Sequence, residues 1–187
     1  MFLEFLLVII LIIIIVIAIM YNGLVRSRNA VKNAWAGIDV WLKRREDLIP
    51  NLVRTVKGYA KHEKQLLEEI TRLRIAMINS QKDIKRTAAA DDMLNKTLKS
   101  LFAVVENYPM LRANENFLEL QKELSNTENE IAAARRIYNN NVRDYNTSVD
   151  SFPQNIISGI FGFENAEFFN ATASERKQIK ISIDDLS

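Results

Sequence analysis

The stretch WLKRREDLIPNLVRTVKGYAKHE, from Trp41 to Glu63, decides how the fold of the chain is interpreted. Five charged residues fill Lys43–Asp47, and Pro50 follows them within an otherwise apolar stripe. Such a charge run is either a site of chemistry or the solvent-facing side of a helix. The spacing of the apolar residues around it separates these two interpretations.

Apolar residues recur every seven positions on both sides of the charge run, in two adjacent rows. The members of the rows are Leu24, Val31, Ile38, Arg45, Leu52, Tyr59, Leu66 and Leu73, and Trp35, Leu42, Ile49, Val56, Glu63, Ile70 and Met77. Two such rows are typical of the apolar seam of a long helix in a left-handed, coiled-coil-like bundle. The rows keep register across Pro50, so we predict a helix that continues through a kink at about residues 46–49, or that breaks with little lateral shift.

Arg45 is the one member of the charge run that falls on the seam. A buried guanidinium must find an acceptor, because an unpaired buried charge is very costly. We predict a structural polar layer in which Arg45 meets Asn139, Asn146 or Asp150 of a later helix. A polar residue at such a position commonly fixes the register of a bundle.

The first twenty residues, MFLEFLLVIILIIIIVIAIM, are apolar apart from Glu4. About 20 apolar residues in a helix span the hydrocarbon core of a bilayer, and a helix satisfies every backbone polar group within one segment. The run has no Lys or Arg before it and no small-residue cleavage pattern after it, which favours an uncleaved signal-anchor over a signal peptide. We predict a single-pass transmembrane segment over residues 1–21.

Arg26, Arg28 and Lys32 follow the apolar run closely. By the positive-inside rule they place the rest of the chain in the cytoplasm and the N-terminus outside, although the free terminal amine favours the opposite orientation. The same three side chains are candidates for contact with anionic lipid headgroups.

Two further long helices are predicted, over residues 83–107 and 114–151, with a turn at Pro109 between them. Pro153 ends the last one, and a short amphipathic segment, NIISGIFGF, follows. Isoleucines alternate in the final residues, so that residues 164–187 are a mobile tail or, alternatively, donate a strand to a partner's sheet. The predicted fold class is all-α: an N-terminal transmembrane helix followed by an antiparallel bundle of about four long helices over residues 22–163.

The composition argues against most catalytic and metal-binding classes. The chain has no cysteine, which excludes disulfides and thiolate ligands. His62 is the single histidine and position 66 is Leu66, so neither a zinc-protease helix nor a pair of Glu-x-x-His motifs can form. No glycine-rich phosphate loop occurs. We therefore predict no catalytic, cofactor-binding or metal site, and expect His62 to face solvent.

Charge is distributed unevenly along the chain. The net charge is +2, too small for a nucleic-acid footprint. Residues 22–86 carry a net +8 and residues 87–187 a net −5, as complementary faces of one bundle or as separate binding surfaces; we favour the first interpretation.

The two tryptophans fall on different sides of the seam. Trp35 is predicted in the core, and Trp41 lies near the seam edge. Trp41 with Val40 is a candidate surface for a protein partner.

Three blocks of the sequence resemble the LemA family of bacterial membrane-anchored proteins. YNGLVRSRNAVKNAWAGIDVWLKRREDLIPNLVRTVKGYAKHE (residues 21–63) is similar to the family's opening block, YPMLRANENFLELQKELSNTENEIAAARRIYNNNVRDYNTSVDSFP (108–153) to its C-terminal helix, and FGFENAEFF (161–169) to its closing element. The resemblance implies an antiparallel bundle of about four helices behind one transmembrane anchor, and no established biochemical activity. Some relatives are lipid-anchored outside the cytoplasm, and this chain lacks the cysteine that such an anchor requires.

Together these observations predict a non-enzymatic interaction or scaffold protein of the bacterial cell membrane. Its expected partners are the lipid bilayer, an unidentified protein and a second copy of the chain, with no nucleic acid and no small-molecule substrate. The alternative is a signalling or membrane-shaping component that acts through oligomerisation or through a hinge at Pro50. A third interpretation, an enzyme that uses paired carboxylates, has no particular pair to support it.

Overall fold

The structure is a computed structural model that describes residues 1–80 and 83–169. Six helices occur in this part of the chain, and it contains no strand. They are α1 (Phe2–Tyr59), α2 (Lys64–Ser80), α3 (Ile84–Val105), α4 (Pro109–Arg112), α5 (Glu115–Asp150) and α6 (Gln154–Phe161). The predicted all-α class with a long apolar N-terminal helix is confirmed.

Helix α1 changes character along its length without interruption. From its start to Ile19 its side chains are exposed on every face, and one window of the helix reaches a mean hydropathy of 3.5. From Leu24 onward, burial returns every seven residues, at Val31 and Ile38. The helix continues through Pro50 to Tyr59, as the unbroken register predicts.

The prediction that the apolar rows belong to one helix beyond Tyr59 is wrong. The chain turns at residues 60–63, and Leu67, Ile70, Leu73 and Met77 are buried on the separate helix α2. Gly58 lowers helix propensity just before the turn. Tyr108 donates a hydrogen bond to the Glu63 carboxylate at 2.9 Å and so fixes the end of the turn.

The later helices begin at recognisable caps. Asp83 accepts a hydrogen bond from the Arg86 amide at 3.0 Å before α3, and Asn114 accepts one from the Phe117 amide at 3.0 Å before α5. Helices α3 and α5 lie within a residue or two of the predicted spans. The predicted turn at Pro109 contains the short helix α4.

The described residues divide into two compact units. The first comprises residues 1–38 and 133–168, and the second comprises residues 39–132 and Phe169. Helices α1 and α5 each contribute to both. The predicted domain boundaries at residues 21 and 163 stay predictions.

In the first unit, the early part of α1 packs against the late part of α5 and α6. Trp35, predicted in the core, is half-buried and makes a T-shaped contact with the buried Tyr138, with 5.6 Å between ring centroids. The core also contains Leu24, Val31, Ile38, Val142, Tyr145, Val149, Ile157 and Phe163.

In the second unit, the remainder of α1 is joined by α2, α3, α4 and the first half of α5, and α2 packs directly on α3. Aliphatic side chains dominate its core: Leu42, Ile49, Leu52, Val56, Leu67, Ile70, Leu73, Met77, Leu94, Leu98, Leu101, Val105, Leu111, Leu124 and Ile131. An apolar core of this extent is the main source of stability in a helical bundle.

The start of the predicted mobile tail lies along α5, and the mobility of residues 164–187 stays a prediction. Residues 164–168 are hydrogen-bonded to α5 through Tyr138, Tyr145 and Asn146. A fixed segment results because its backbone groups find donors and acceptors on α5. The alternating isoleucines Ile179, Ile181 and Ile183 lie outside the described residues.

Candidate functional site

A buried ionic cluster surrounds Arg45 in the second unit. The Arg45 side chain is 1% exposed, in agreement with its seam position. Its guanidinium donates one hydrogen bond to Asp91 on α3 and a second to Glu128 on α5. The cluster therefore joins three helices through one side chain.

The predicted acceptors of Arg45 are wrong. Asn146 and Asp150 instead bond Ala166 and Asn165, and Asn139 has a partner other than Arg45. Carboxylates suit a buried guanidinium better than amides do, because they compensate its charge as well as accept its protons. The register-fixing role of the layer stays a prediction.

The two acidic partners of Arg45 differ in their access to water. Asp91 is fully buried, whereas the Glu128 side chain is 38% exposed. Asn95 donates to the other oxygen of Glu128 at 2.9 Å and orients that carboxylate. The buried member of the cluster thus pairs with Arg45 away from water, and the outer member remains partly hydrated.

Burial lowers the pKa of Arg45 to about 10. The guanidinium is still protonated at neutral pH, and the two adjacent carboxylates favour its charged form. The three side chains carry a formal net charge of −1. This arrangement fixes helices to one another and offers no displaced proton or reactive nucleophile.

Pro50 leaves a backbone acceptor in α1 without its helical donor, and α2 replaces that donor. In a regular helix the amide of residue 50 would bond the carbonyl of Glu46, and proline has no amide hydrogen. Arg74 Nε donates to the Glu46 carbonyl at 2.7 Å. At the candidate hinge, a side chain from α2 is therefore bonded to the backbone carbonyl that lacks its helical hydrogen bond.

In the second unit, basic residues of the first half of the chain form ion pairs with acidic residues of the second half. Besides Arg45, Arg44 pairs with Glu123 at 2.5 Å on the surface. Both arginines fit the interpretation in which the basic first half and the acidic second half of the chain pack against each other. Sequence reasoning missed Asp91 as an acceptor, although its spacing to Leu94 and Leu98 places it on the apolar side of α3.

The remaining candidate residues lie as follows. Val40 is 65% exposed and Trp41 is partly exposed, so that the candidate partner surface reaches solvent. Arg26, Arg28 and Lys32 are exposed, and the Arg28 guanidinium lies 4.9 Å from the centroid of the Phe163 ring.

Candidate metal chemistry receives no support from the described residues. His62 is exposed, and nowhere in residues 1–80 and 83–169 do three or more His, Asp or Glu side chains gather as a metal site would require.

A second polar site, in the first unit, holds the segment after α6. Tyr138 donates to the Glu167 carbonyl at 2.7 Å and Tyr145 to the Glu164 carbonyl at 2.9 Å. The Asn146 side chain makes two bonds with the backbone of Ala166, accepting at 2.8 Å and donating at 3.0 Å. These residues form the closing clamp: Tyr138, Tyr145 and Asn146.

Burial raises the pKa of Tyr138 to about 12, with a smaller contribution from the charge of Glu167. Burial also raises the pKa of Tyr145, against the opposing effect of the Arg28 charge. Both hydroxyls are therefore donors over the whole physiological pH range. The repeated Tyr-Asn pairs of α5 signal this role, because Tyr and Asn are side chains that can bond a backbone segment.

These features define a membrane-associated all-α protein whose first helix is long and apolar enough to cross a bilayer. A model of the LemA family matches residues 34–183, and the chain belongs to that family. The family predicted from the sequence blocks is thereby confirmed.

Several named bacterial proteins are similar to this chain. The chain is 27% identical to Protein LemA of Metamycoplasma hominis over 86% of this chain and 74% of that protein. It is 25% identical to Magnetosome protein MamQ 2 of Paramagnetospirillum magneticum and 23% identical to Magnetosome protein MamQ of Magnetospirillum gryphiswaldense. Each of these two matches covers 80% of this chain and 64% of the relative, so the chain spans less than two thirds of the magnetosome proteins.

Proposed function

We propose that the chain is a non-enzymatic scaffold anchored in a bacterial cell membrane, which presents its helical bundle to a protein partner. One observation carries the proposal: α1 has apolar side chains exposed on every face up to Ile19 and then becomes a core helix without a break. The same helix serves the bilayer and the core, so the buried core of the first unit follows the anchor with no flexible linker. Membrane association is also consistent with relatives named as magnetosome proteins.

The partner surface proposed on this scaffold contains Val40 and Trp41. Val40 stands 65% exposed on α1, where an aliphatic side chain costs free energy in water unless it is covered. Partly exposed aromatic residues such as Trp41 are frequent anchors of protein interfaces.

A photo-crosslinking amino acid at position 40, in the full chain in living cells, tests the surface. We expect a discrete adduct that is lost on Trp41→Ala. The matched control is position 118, where Leu118 is also exposed in the second unit at 48%. The same adducts at both positions, or none at position 40, would exclude Val40 and Trp41 as the docking surface.

The second candidate function is signalling or membrane shaping through oligomerisation or a hinge at Pro50. The observation in its favour is the side-chain contact from Arg74 to the Glu46 carbonyl, which replaces the missing backbone bond. A side-chain contact of this kind can open without a change in the backbone of α1. If Pro50→Ala left the partners and the oligomer size of the detergent-extracted protein unchanged, the hinge would have no role.

A further inference from the structure

Helix α6 exposes an apolar face that the fold does not use. Ile156 is 52% exposed and Ile160 is 70% exposed, four residues apart on one side of the helix. Phe152, just before α6, is 78% exposed, and Phe161, at its end, is 52% exposed. A segment of ten residues therefore exposes four large apolar side chains.

The other face of α6 is firmly attached to the first unit. Ile157 and Ser158 are buried, and the Ser158 hydroxyl donates to the Val149 carbonyl at 2.9 Å. Gly162 ends the helix in the left-handed conformation, and Phe163 then returns to the core. The exposed face is therefore held in a fixed place on the first unit.

That place is next to the end of the anchor. The Tyr21 ring packs edge-on against Phe161 at 4.9 Å and against Phe163 at 5.6 Å between centroids. Tyr21 directly follows an apolar run of 20 residues, which as a helix is about 30 Å long, the thickness of the hydrocarbon core. When the run fills the core, Tyr21 lies at the membrane interface, where tyrosine is enriched.

Charge around α6 fits the same location. The segment from Phe152 to Phe163 contains no charged residue. Arg26 and Arg28 lie about 8 and 11 Å beyond Tyr21 along α1, near the outer limit of the headgroup layer. Asp150 and Glu164 flank the segment in sequence, and the Arg28 guanidinium lies 4.9 Å from the Phe163 ring at the end of α6. A cation beside an apolar face is typical of a helix that lies in the plane of the interface.

We infer that α6, together with Phe152, is an interfacial membrane helix: its exposed face enters the headgroup–acyl boundary of the bilayer that holds the anchor. The chain then contacts its membrane at two places, and the second contact sets the tilt of the first unit on the bilayer. The inference rests on the proposed span of residues 1–21. Lipid is the occupant because α6 lies beside the anchor, where acyl chains and headgroups are its immediate neighbours.

The absence of native cysteine allows a direct test with single-cysteine variants of the full chain in lipid vesicles. An environment-sensitive fluorophore is attached to Ile160→Cys, with Ile10→Cys as the anchor reference and Ile137→Cys as the aqueous reference. Ile137 is a matched control because it is 58% exposed in the same unit, about 20 Å along α5 from Asp150. Circular dichroism confirms that each labelled variant keeps its helix content.

We expect the label at position 160 to be quenched by nitroxides on lipid acyl chains and protected from aqueous iodide, as at position 10. The label at position 137 should show the reverse. Iodide quenching at position 160 equal to that at 137 overturns the inference. Protection from iodide without lipid quenching also overturns it, in favour of a protein covering α6. Loss of lipid quenching at position 10 as well would instead overturn the proposed span, and the inference with it.

Discussion

The Arg45 guanidinium is charged and buried, and the free energy of burying it depends on its ion pair with Asp91. A buried ion pair adds little net stability over apolar residues of the same size, but removal of one member leaves the other uncompensated. The prediction that the cluster sets how the helices pair therefore does not require a large gain in stability. Pairing of Arg45 with Asp91 predicts a pattern of single and double substitutions.

Arg45→Met should destabilise the protein by about 3–5 kcal/mol, because it removes one member of a buried ion pair. Combining it with Asp91→Leu should recover much of that loss. The measurement is denaturant unfolding of the detergent-solubilised chain. The control is Arg44→Ala, which removes an exposed pair and should cost less than about 1 kcal/mol. Additive losses in the double variant would show that the two side chains do not act as a pair.

Arg74 and Pro50 should be energetically coupled. Arg74→Met removes the hydrogen bond that Arg74 donates to the Glu46 carbonyl, at a cost of about 1–3 kcal/mol. In a Pro50→Ala background the new amide bonds that carbonyl, so the same substitution should cost much less.

Amide hydrogen exchange around residues 46–50 measures the coupling in all four members of the cycle. Arg72→Met, on the same helix but bonded to Glu69, is the matched control and should change nothing at α1. An equal effect of Arg74→Met with and without Pro50 would show that Arg74 does not replace the missing backbone bond.

Among the helices, α5 makes two different sets of polar contacts along its length. Its first half supplies Glu128 to the ionic cluster, and its second half holds residues 164–168 through the closing clamp. The clamp depends on neutral tyrosine hydroxyls, since a phenolate cannot donate a hydrogen bond. The attachment of residues 164–168 to α5 is therefore sensitive to alkaline pH.

The raised pKa of Tyr138 gives the direction of that sensitivity. A tyrosine whose pKa is raised on folding stabilises the folded state fully below its unfolded pKa of about 10. The stabilisation is lost as the pH rises through about 12. We expect residues 164–168 to lose exchange protection in this range, together with a rise in tyrosinate absorbance.

Tyr138→Phe should remove about 0.5–1.5 kcal/mol of local stability already at neutral pH. In that variant the alkaline step should be smaller, since only Tyr145 remains to titrate. The Tyr108 hydroxyl, bonded to Glu63 in the second unit, is the reference for tyrosines outside the clamp. An unchanged alkaline step in Tyr138→Phe would assign it to another group.

Much of the helical framework was predictable from periodicity and proline positions, and three features were not. The first is the break between α1 and α2. Ile70 and Met77 of α2 are buried at the same seven-residue spacing that one long helix would have, so the spacing does not reveal the turn at residues 60–63. The repeated Tyr-Asn pairs of α5 were assigned to a polar layer around Arg45, so the closing clamp was missed. The burial of Arg45 followed from its row, whereas its partners depend on how helices meet in space.

On the scale of the whole molecule, charge next to the anchor is expected to set which side of the membrane holds the bundle. Arg26, Arg28 and Lys32 favour retention in the cytoplasm. Substituting all three by Gln, together with Glu4→Lys, should reverse the orientation.

An impermeant thiol reagent and a Leu118→Cys reporter measure that orientation in intact cells. We expect no labelling of the reporter in the otherwise natural chain before permeabilisation, and labelling in the charge-reversed variant. Labelling of the otherwise natural chain in intact cells would place the bundle outside and contradict the proposed orientation.

The contact between Arg74 and the Glu46 carbonyl also has an evolutionary consequence. A lineage that acquires proline at position 50 before arginine at position 74 passes through a form with an unsatisfied carbonyl, whereas the reverse order is nearly neutral. Arginine at position 74 should therefore be the older of the two residues. Among LemA relatives, chains with arginine and no proline should be common, and chains with proline and no donor at position 74 should be rare.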